Sequence, residues 1–200
     1  MIASRIATAT VLILTLSGTS YACDPKSYTS YPREQVNELF STLKEGPDEL
    51  SRIQAYSDLS CSRDQTIRTL AMQMALKKGN PALLRGKALQ DVVGNMRTYV
   101  IEFGPAQNMD QQTKIYVERQ NGAITVNNLF YDEANACVSL GGDRTRCYPP
   151  LSMHMRGDRL DLRYDNDNLV GEFHLDNEST LVGRVKQSRG GFFPARIKLF

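Results

Sequence analysis

LVGEFHLDNESTLVGRV, residues 169–185, carries one pattern twice: LVGEF and LVGRV stand twelve positions apart. Between the copies lies Asp176-Asn177-Glu178-Ser179, a run whose Asp, Asn and Ser side chains bond their own backbone and so favour turns. On either side the apolar residues alternate, Leu169, Phe173 and Leu175 before the turn and Leu181 and Val185 after it. A period of two sends successive side chains to opposite faces of a strand, and a pitch of twelve is that of a β-meander. Gly171 and Gly183 fall in the inward phase, where a missing side chain marks a bend or a close backbone approach. A hairpin centred on the 176–180 turn sets Glu172 opposite Arg184.

The same alternation extends outward from this hairpin. Runs at 153–156, 160–164 and 193–199 are separated by turn signals at Arg156-Gly157-Asp158, Asp165-Asn166-Asp167-Asn168 and Arg189-Gly190-Gly191. Further upstream, Tyr99, Ile101 and Phe103 alternate with polar neighbours. Ile115 and Val117 read as another strand, joined to Ile124 by a hairpin at Gln120-Asn121-Gly122. Eight to ten such strands make an antiparallel β-sandwich or a small β-barrel. Ahead of Gly94 the period is helical. Val36, Leu39, Phe40 and Leu43 follow the i, i+3, i+4, i+7 rule, and Leu50, Ile53 and Tyr56 mark a second helix over 47–59. Ser62 and Gln65 form a capping box for a third, which carries Ile67, Leu70, Ala71 and Met74. Asn80-Pro81 opens a fourth through Leu84, Ala88 and Val92, stopped by Gly94. Short connections make these four helices antiparallel neighbours. The fold class is therefore α+β: a helical domain over 23–94 and an antiparallel β domain over 95–200, with disorder expected only at 23–31 and in turns.

Residues 1–22 have the three parts of a secretory signal peptide: Arg5, an apolar stretch from Ile6 to Leu16, and small polar residues. The stretch is too short for a bilayer span, which takes about 20 residues. Ser20 and Ala22 suit a cut before Cys23, whereas an acylated lipoprotein cysteine needs an aliphatic residue in place of Ser20 and a small one in place of Tyr21. The four cysteines, Cys23, Cys61, Cys137 and Cys147, all follow that cut. An even number in an exported chain reads as bridges. Cys137 and Cys147 flank Gly142 evenly, so a hairpin turning at Gly141-Gly142-Asp143 sets them opposite one another and leaves Cys23 for Cys61. Acylation of Cys23 would strand Cys61 as a free thiol. The expected location is periplasmic or secreted, with no transmembrane segment after cleavage. In phase with Phe200 stand Lys198, Arg196 and Pro194, a poor lipid-facing set for the closing strand of a membrane barrel.

Removing the 22 signal residues from 200 leaves about 178, enough for one large domain or two small ones, and loss of Arg5 takes the net charge from +2 to +1. That balance offers no nucleic-acid signature, and helix-turn-helix spacing has no DNA to read outside the cell. Ser41-Thr42-Leu43-Lys44 matches the S-x-x-K of penicillin-recognising enzymes but lacks their companion motifs. In Met153-His154-Met155 the two sulfurs point away from the imidazole, and the cysteines are taken by bridges, so no metal and no cofactor is expected. Asp165-Asn166-Asp167-Asn168 lacks the later ligands of a calcium loop.

One constellation remains. Arg184, Lys186, Arg196 and Lys198 share the outward phase of the last two strands, with Arg189 at their turn. Five cations on one ribbon suit phosphates or carboxylates. The function expected is a non-catalytic binding protein of the cell envelope, its β domain engaging an anionic envelope component or a protein partner. Two alternatives stand beside it. A periplasmic hydrolase would draw on the strand-borne carboxylates Glu102, Glu118, Asp161 and Glu172, two of them facing one another in a cleft. A small-ligand carrier would hold an apolar cavity inside a β-barrel. The exported protein is expected to give an intact mass beginning at Cys23, without lipid and about four hydrogens below the reduced form, two for each bridge; an acyl-sized increment would make it a lipoprotein.

Overall fold

The computed structural model describes residue 23 and residues 27–105, 109–142, 144–166 and 168–200. The signal segment, Asp143 of the expected 141–143 turn and Asp167 lie outside the described residues. Helix α1 (Arg33–Glu45) follows Pro32 and buries Val36 and Leu43. Helix α2 (Glu49–Ser60) starts at Asp48, whose carboxylate accepts from the Ser51 amide at 2.8 Å. It buries Ala55, Tyr56 and Leu59, while Leu50 is 75% exposed. The reading through Leu50, Ile53 and Tyr56 fails at its first member because a repeated spacing of three slides around a helix of 3.6 residues per turn. Helix α3 (Gln65–Ala75) is capped by Asp64, which accepts from the Thr66 amide at 2.7 Å. The expected Ser62–Gln65 capping box is thus replaced: the Ser62 hydroxyl accepts from the Asp64 amide at 3.2 Å, one step ahead of the helix. Helix α4 (Ala82–Asn95) runs through Gly94 rather than stopping there. Gly94 has a packing reason instead, since a Cβ there would collide with the Tyr131 ring.

The second half is a sheet. Strand β1 (Thr98–Phe103) leads to helix α5 (Gln111–Arg119), then β2 (Ala123–Asn127), β3 (Phe130–Asp132), β4 (Cys137–Ser139), β5 (Ser152–Arg156), β6 (Arg159–Tyr164), β7 (Leu169–Leu175), β8 (Thr180–Gln187) and β9 (Phe192–Lys198). All nine strands join in one antiparallel sheet, ordered β2-β1-β9-β8-β7-β6-β5-β4-β3 and curled into a half-barrel. The α+β expectation holds, and its β part is a single curled sheet rather than two packed ones. Among the described residues no helix is long and apolar enough to cross a membrane.

The meander that decides the fold is in the expected register. Glu172 pairs with Arg184, and Leu175 with Leu181. Asp176 builds the turn: one carboxylate oxygen accepts from both the Glu178 and Thr180 amides at 2.8 Å, and Ser179 takes a left-handed φ of 59°. Gly183 is needed because a Cβ there would drive into the Glu172 carbonyl and the Phe173 Cα on β7. Outward-phase Pro194 lies within β9 and pairs with Arg184 of β8. The β1–β9 pairing runs from Ile101↔Ile197 to Phe103↔Ala195, and beyond it the Gly104 amide donates to the Pro194 carbonyl.

Three further expectations are corrected. Residues 115–117 are helical, and the Asn121-Gly122 turn closes a helix instead of a hairpin. Asp110 caps α5, its carboxylate accepting from the Thr113 amide and hydroxyl, and Thr113 and Val117, one turn apart, are its buried face. The left-handed Asn121 and Gly122 (φ 52° and 78°) let Gly122 donate to the Val117 carbonyl, a helix-ending bond that uses the same conformations as a tight hairpin. Cys137 and Cys147 do form a bridge, and so do Cys23 and Cys61. They are not rungs of one hairpin, however, because β4 pairs with β5 and sets Cys137 opposite His154, leaving Cys147 in irregular chain. The described part of 23–31 is also tied down. Thr29 exchanges backbone bonds with Cys61 and Arg63, and Arg68 lies 4.4 Å over the Tyr28 ring.

Helices and sheet share one buried cluster that includes Leu59, Leu84, Leu89, Met153, Leu162 and Phe193. Gly86 of α4 lies against Gly157 in the β5–β6 turn, where a Cβ would meet backbone at 3.1 Å. Arg85 bonds Asp158 and the Leu175 carbonyl, both at 3.1 Å. Within the helices, buried Tyr56 donates to Asp91 at 2.8 Å, and Lys87 meets the same carboxylate. Replacing Gly183→Ala is expected to cost about 1–3 kcal/mol, the range for overfilling a packed site, measured by denaturant unfolding with strand content unchanged.

Candidate functional site

The turns of the meander line up the outward positions of neighbouring strands. Across the sheet they give one row: Cys137, His154, Asp161, Glu172, Arg184 and Pro194. The next row holds Ser152, Arg163, Val170, Lys186 and Phe192. His154, Asp161, Glu172 and Arg184 of the first row and Arg163 and Val170 of the second line an open groove of ≈ 680 Å³, to which Arg156 is added from the end of β5. Pro149, ahead of β5, and Phe192, the first residue of β9, also line it. The opposite face of these strands is packed: Met153, Leu162, Phe173, Val185 and Phe193 are buried.

Charge in the groove is divided by strand. Asp161 and Glu172 face each other across β6 and β7, with Arg156 3.6 Å from the Asp161 carboxylate. Arg184 lies beyond them on β8. His154 is half-buried at the other end of the row. Burial holds its imidazole below its ordinary pKa, Arg156 adds to that depression, and Asp161 opposes it. Its Nε2 approaches the Cys137 sulfur at 3.4 Å.

The five cations anticipated as a face divide into unlike groups. Arg184, Lys186, Arg196 and Lys198 do share the outward side of the β8–β9 ribbon, and exposed Arg189 sits in its turn, where its amide donates to Gln187. Arg196 and Lys198 are engaged by Glu102 of β1, at 2.5 and 3.4 Å. Arg184 and Lys186 instead stand over Phe192, their charged groups 5.0 and 5.7 Å from the ring centroid. Neither has a carboxylate within ion-pair distance among the described residues. Glu172 stands opposite Arg184 in the ladder without an ion pair between them; the acid that does pair with the ribbon is Glu102, and its partners are Arg196 and Lys198. Of the four carboxylates weighed for hydrolysis, Asp161 and Glu172 come together, Glu102 is committed to the ribbon, and Glu118 lies on α5 rather than on a strand.

Sequence reading passed over Phe192, Arg163 and Val170 as site residues and did not join His154 to the two carboxylates. The signal was present. Each turn's midpoint sets which residues face one another, and the midpoints of three successive turns carry the row from His154 through Asp161 and Glu172 to Arg184. Comparison of the chain with family models, with curated proteins and with solved structures finds no match.

Glu102 supplies a pH test. Its hydrogen bond from Arg196 foremost, with help from the two cationic charges, holds its carboxyl below the ordinary carboxylate range. A depressed carboxyl stabilises the fold above the unfolded-chain pKa and loses that contribution as pH falls through its folded value. Glu102→Gln is therefore expected to lower the melting temperature slightly at neutral pH, where the charged carboxylate contributes, and to leave it unchanged at low pH, so that the acid side of the profile flattens. An unchanged acid slope would show that the exposed pair contributes nothing.

Proposed function

We propose that the chain is an exported, non-catalytic binding protein of the cell envelope, which holds an anionic glycan-bearing component in the groove on the outer face of its sheet. Two disulfide bridges support an extracytoplasmic setting, periplasmic or secreted. The observation that carries the reading is Phe192, 58% exposed, flanked by two cations that have no carboxylate partner among the described residues. An exposed ring between Arg184 and Lys186 suits a ligand that places a phosphate or carboxylate beside an apolar surface. Asp161 and Glu172, further along the row, accept hydrogen bonds and suit the hydroxyls of a sugar. A lipid headgroup without a sugar would use only the β8–β9 end of the groove.

Vesicles of zwitterionic phospholipid doped with a phosphorylated glycolipid provide the test, read by co-sedimentation. The protein is expected to pellet with doped vesicles, to release as salt screens the charges, and to lose about tenfold or more in affinity with Arg184→Glu and Lys186→Glu combined. Phe192→Ala should weaken binding at every salt concentration. Failure to pellet, or equal pelleting of the charge-reversed variant, would overturn the reading.

Hydrolysis is the second reading, favoured by the direct opposition of Asp161 and Glu172 across the groove floor. It predicts a glycan cleaved on incubation and spared by Asp161→Asn or Glu172→Gln. Binding without catalysis predicts the glycan recovered whole from the wild-type protein.

A further inference from the structure

We propose that Cys137, Cys147 and His154 form a redox-gated metal site: a disulfide staple when oxidised and, when reduced, a ligand set for a thiophilic d10 cation such as zinc(II). The ligand atoms of these three residues all lie within 4.8 Å of one another. The β4–β5 register creates the arrangement by pairing Cys137 with His154, and the imidazole Nε2 points at the Cys137 sulfur, 3.4 Å away. A disulfide needs no imidazole beside it, so the covalent staple leaves the placement of His154 unexplained. Two thiolates and a nitrogen are the soft and borderline donors that zinc and copper(I) take and that calcium or magnesium do not.

The distances agree. Zinc–sulfur bonds of about 2.3 Å and zinc–nitrogen bonds of about 2.0–2.1 Å hold tetrahedral ligands just under about 4 Å apart. The Cα atoms of the two cysteines are 6.1 Å apart. Cys137 and His154 are held by the ladder, while half-buried Cys147 lies outside any helix or strand, so no ladder bond fixes its backbone as it fixes theirs. Three protein ligands leave a fourth position open, and His154 also lines the groove. The other bridge has no such companion: among the described residues no histidine or acid completes a cluster with Cys23 and Cys61.

The chemistry balances with a dithiol reductant. Two electrons and two protons pass to the Cys137–Cys147 bond, which opens to two thiols as the donor closes to its own disulfide. On metal binding each thiol releases a proton and becomes a thiolate ligand, and oxidation after metal loss restores the staple.

The experiment uses the full mature chain, reduced by a dithiol that is then removed without air, and zinc(II) in competition with a chromophoric chelator. One zinc per chain is expected, together with a rise in the melting temperature of the reduced protein. His154→Ala should weaken the affinity about tenfold or more, a loss at least as large as removing a residue that only orients a ligand, and should abolish the rise in melting temperature. Replacing Cys23 and Cys61 together by Ser should leave uptake by Cys137 and Cys147 intact. No uptake by the reduced protein, uptake indifferent to His154→Ala, uptake lost with Cys23 and Cys61, or uptake without a rise in melting temperature would each overturn the proposal. Circular dichroism of the reduced variants separates loss of the site from loss of the fold, and a reduced wild type that binds zinc only when unfolded counts against it.

Discussion

One carboxylate, that of Asp176, sets the register on which the outer face depends. It accepts from two amides of the β7–β8 turn and fixes where the chain reverses. Because side chains alternate, a slip of β8 by one residue would send Arg184 into the core and Leu181 and Val185 into water, and would part Arg184 from Glu172. The strands on either side take their phase from this pair: β6 pairs with β7, and β9 with β8. The groove is thus a consequence of a turn that lies outside it.

The meander was legible in the sequence because its order is local. Each of its strands pairs with the next along the chain, and each turn carries its own side-chain chemistry. What stayed hidden is non-local or conformationally ambiguous. β1 lies beside β9, so Glu102 reaches Arg196 and Lys198 across 94 residues of chain, and no pattern in the last hairpin announces that acid. Residues 111–119 satisfy both periods over a short window, and the Asp110 cap, reinforced by the Gly191 amide from the β8–β9 loop, decides for helix. The cysteine pairing was legible from number and spacing, but the hairpin inferred from it was not, because β4 is only three residues long.

The two bridges act where regular structure is thinnest. Cys23–Cys61 fastens the entering chain to the end of α2, and Cys137–Cys147 gathers the irregular segment between β4 and β5. In both places the backbone has few ladder or helix bonds of its own, so covalent closure restricts the unfolded chain where the fold is least able to restrict itself. The α4 contact at Gly86 and Gly157 does the corresponding work without covalent help. Its two glycines let helix and turn approach at backbone distance, with Arg85 clamping the rim.

Pro194 has a mechanical consequence. It removes an amide donor from the interior of β9, and the β1–β9 ladder ends one residue away, after three pairs, whereas β7 and β8 share seven. By the length of its ladders the half-barrel divides into two unequal panels: a broad one from β9 to β3 and a narrow one of β1 and β2. The line between them tears with the loss of fewer backbone bonds than the β7–β8 line. Opening along that line would leave every ladder of the broad panel, which carries the groove, intact, at the cost of the Glu102 ion pairs and the Phe103–Phe193 ring contact that cross it.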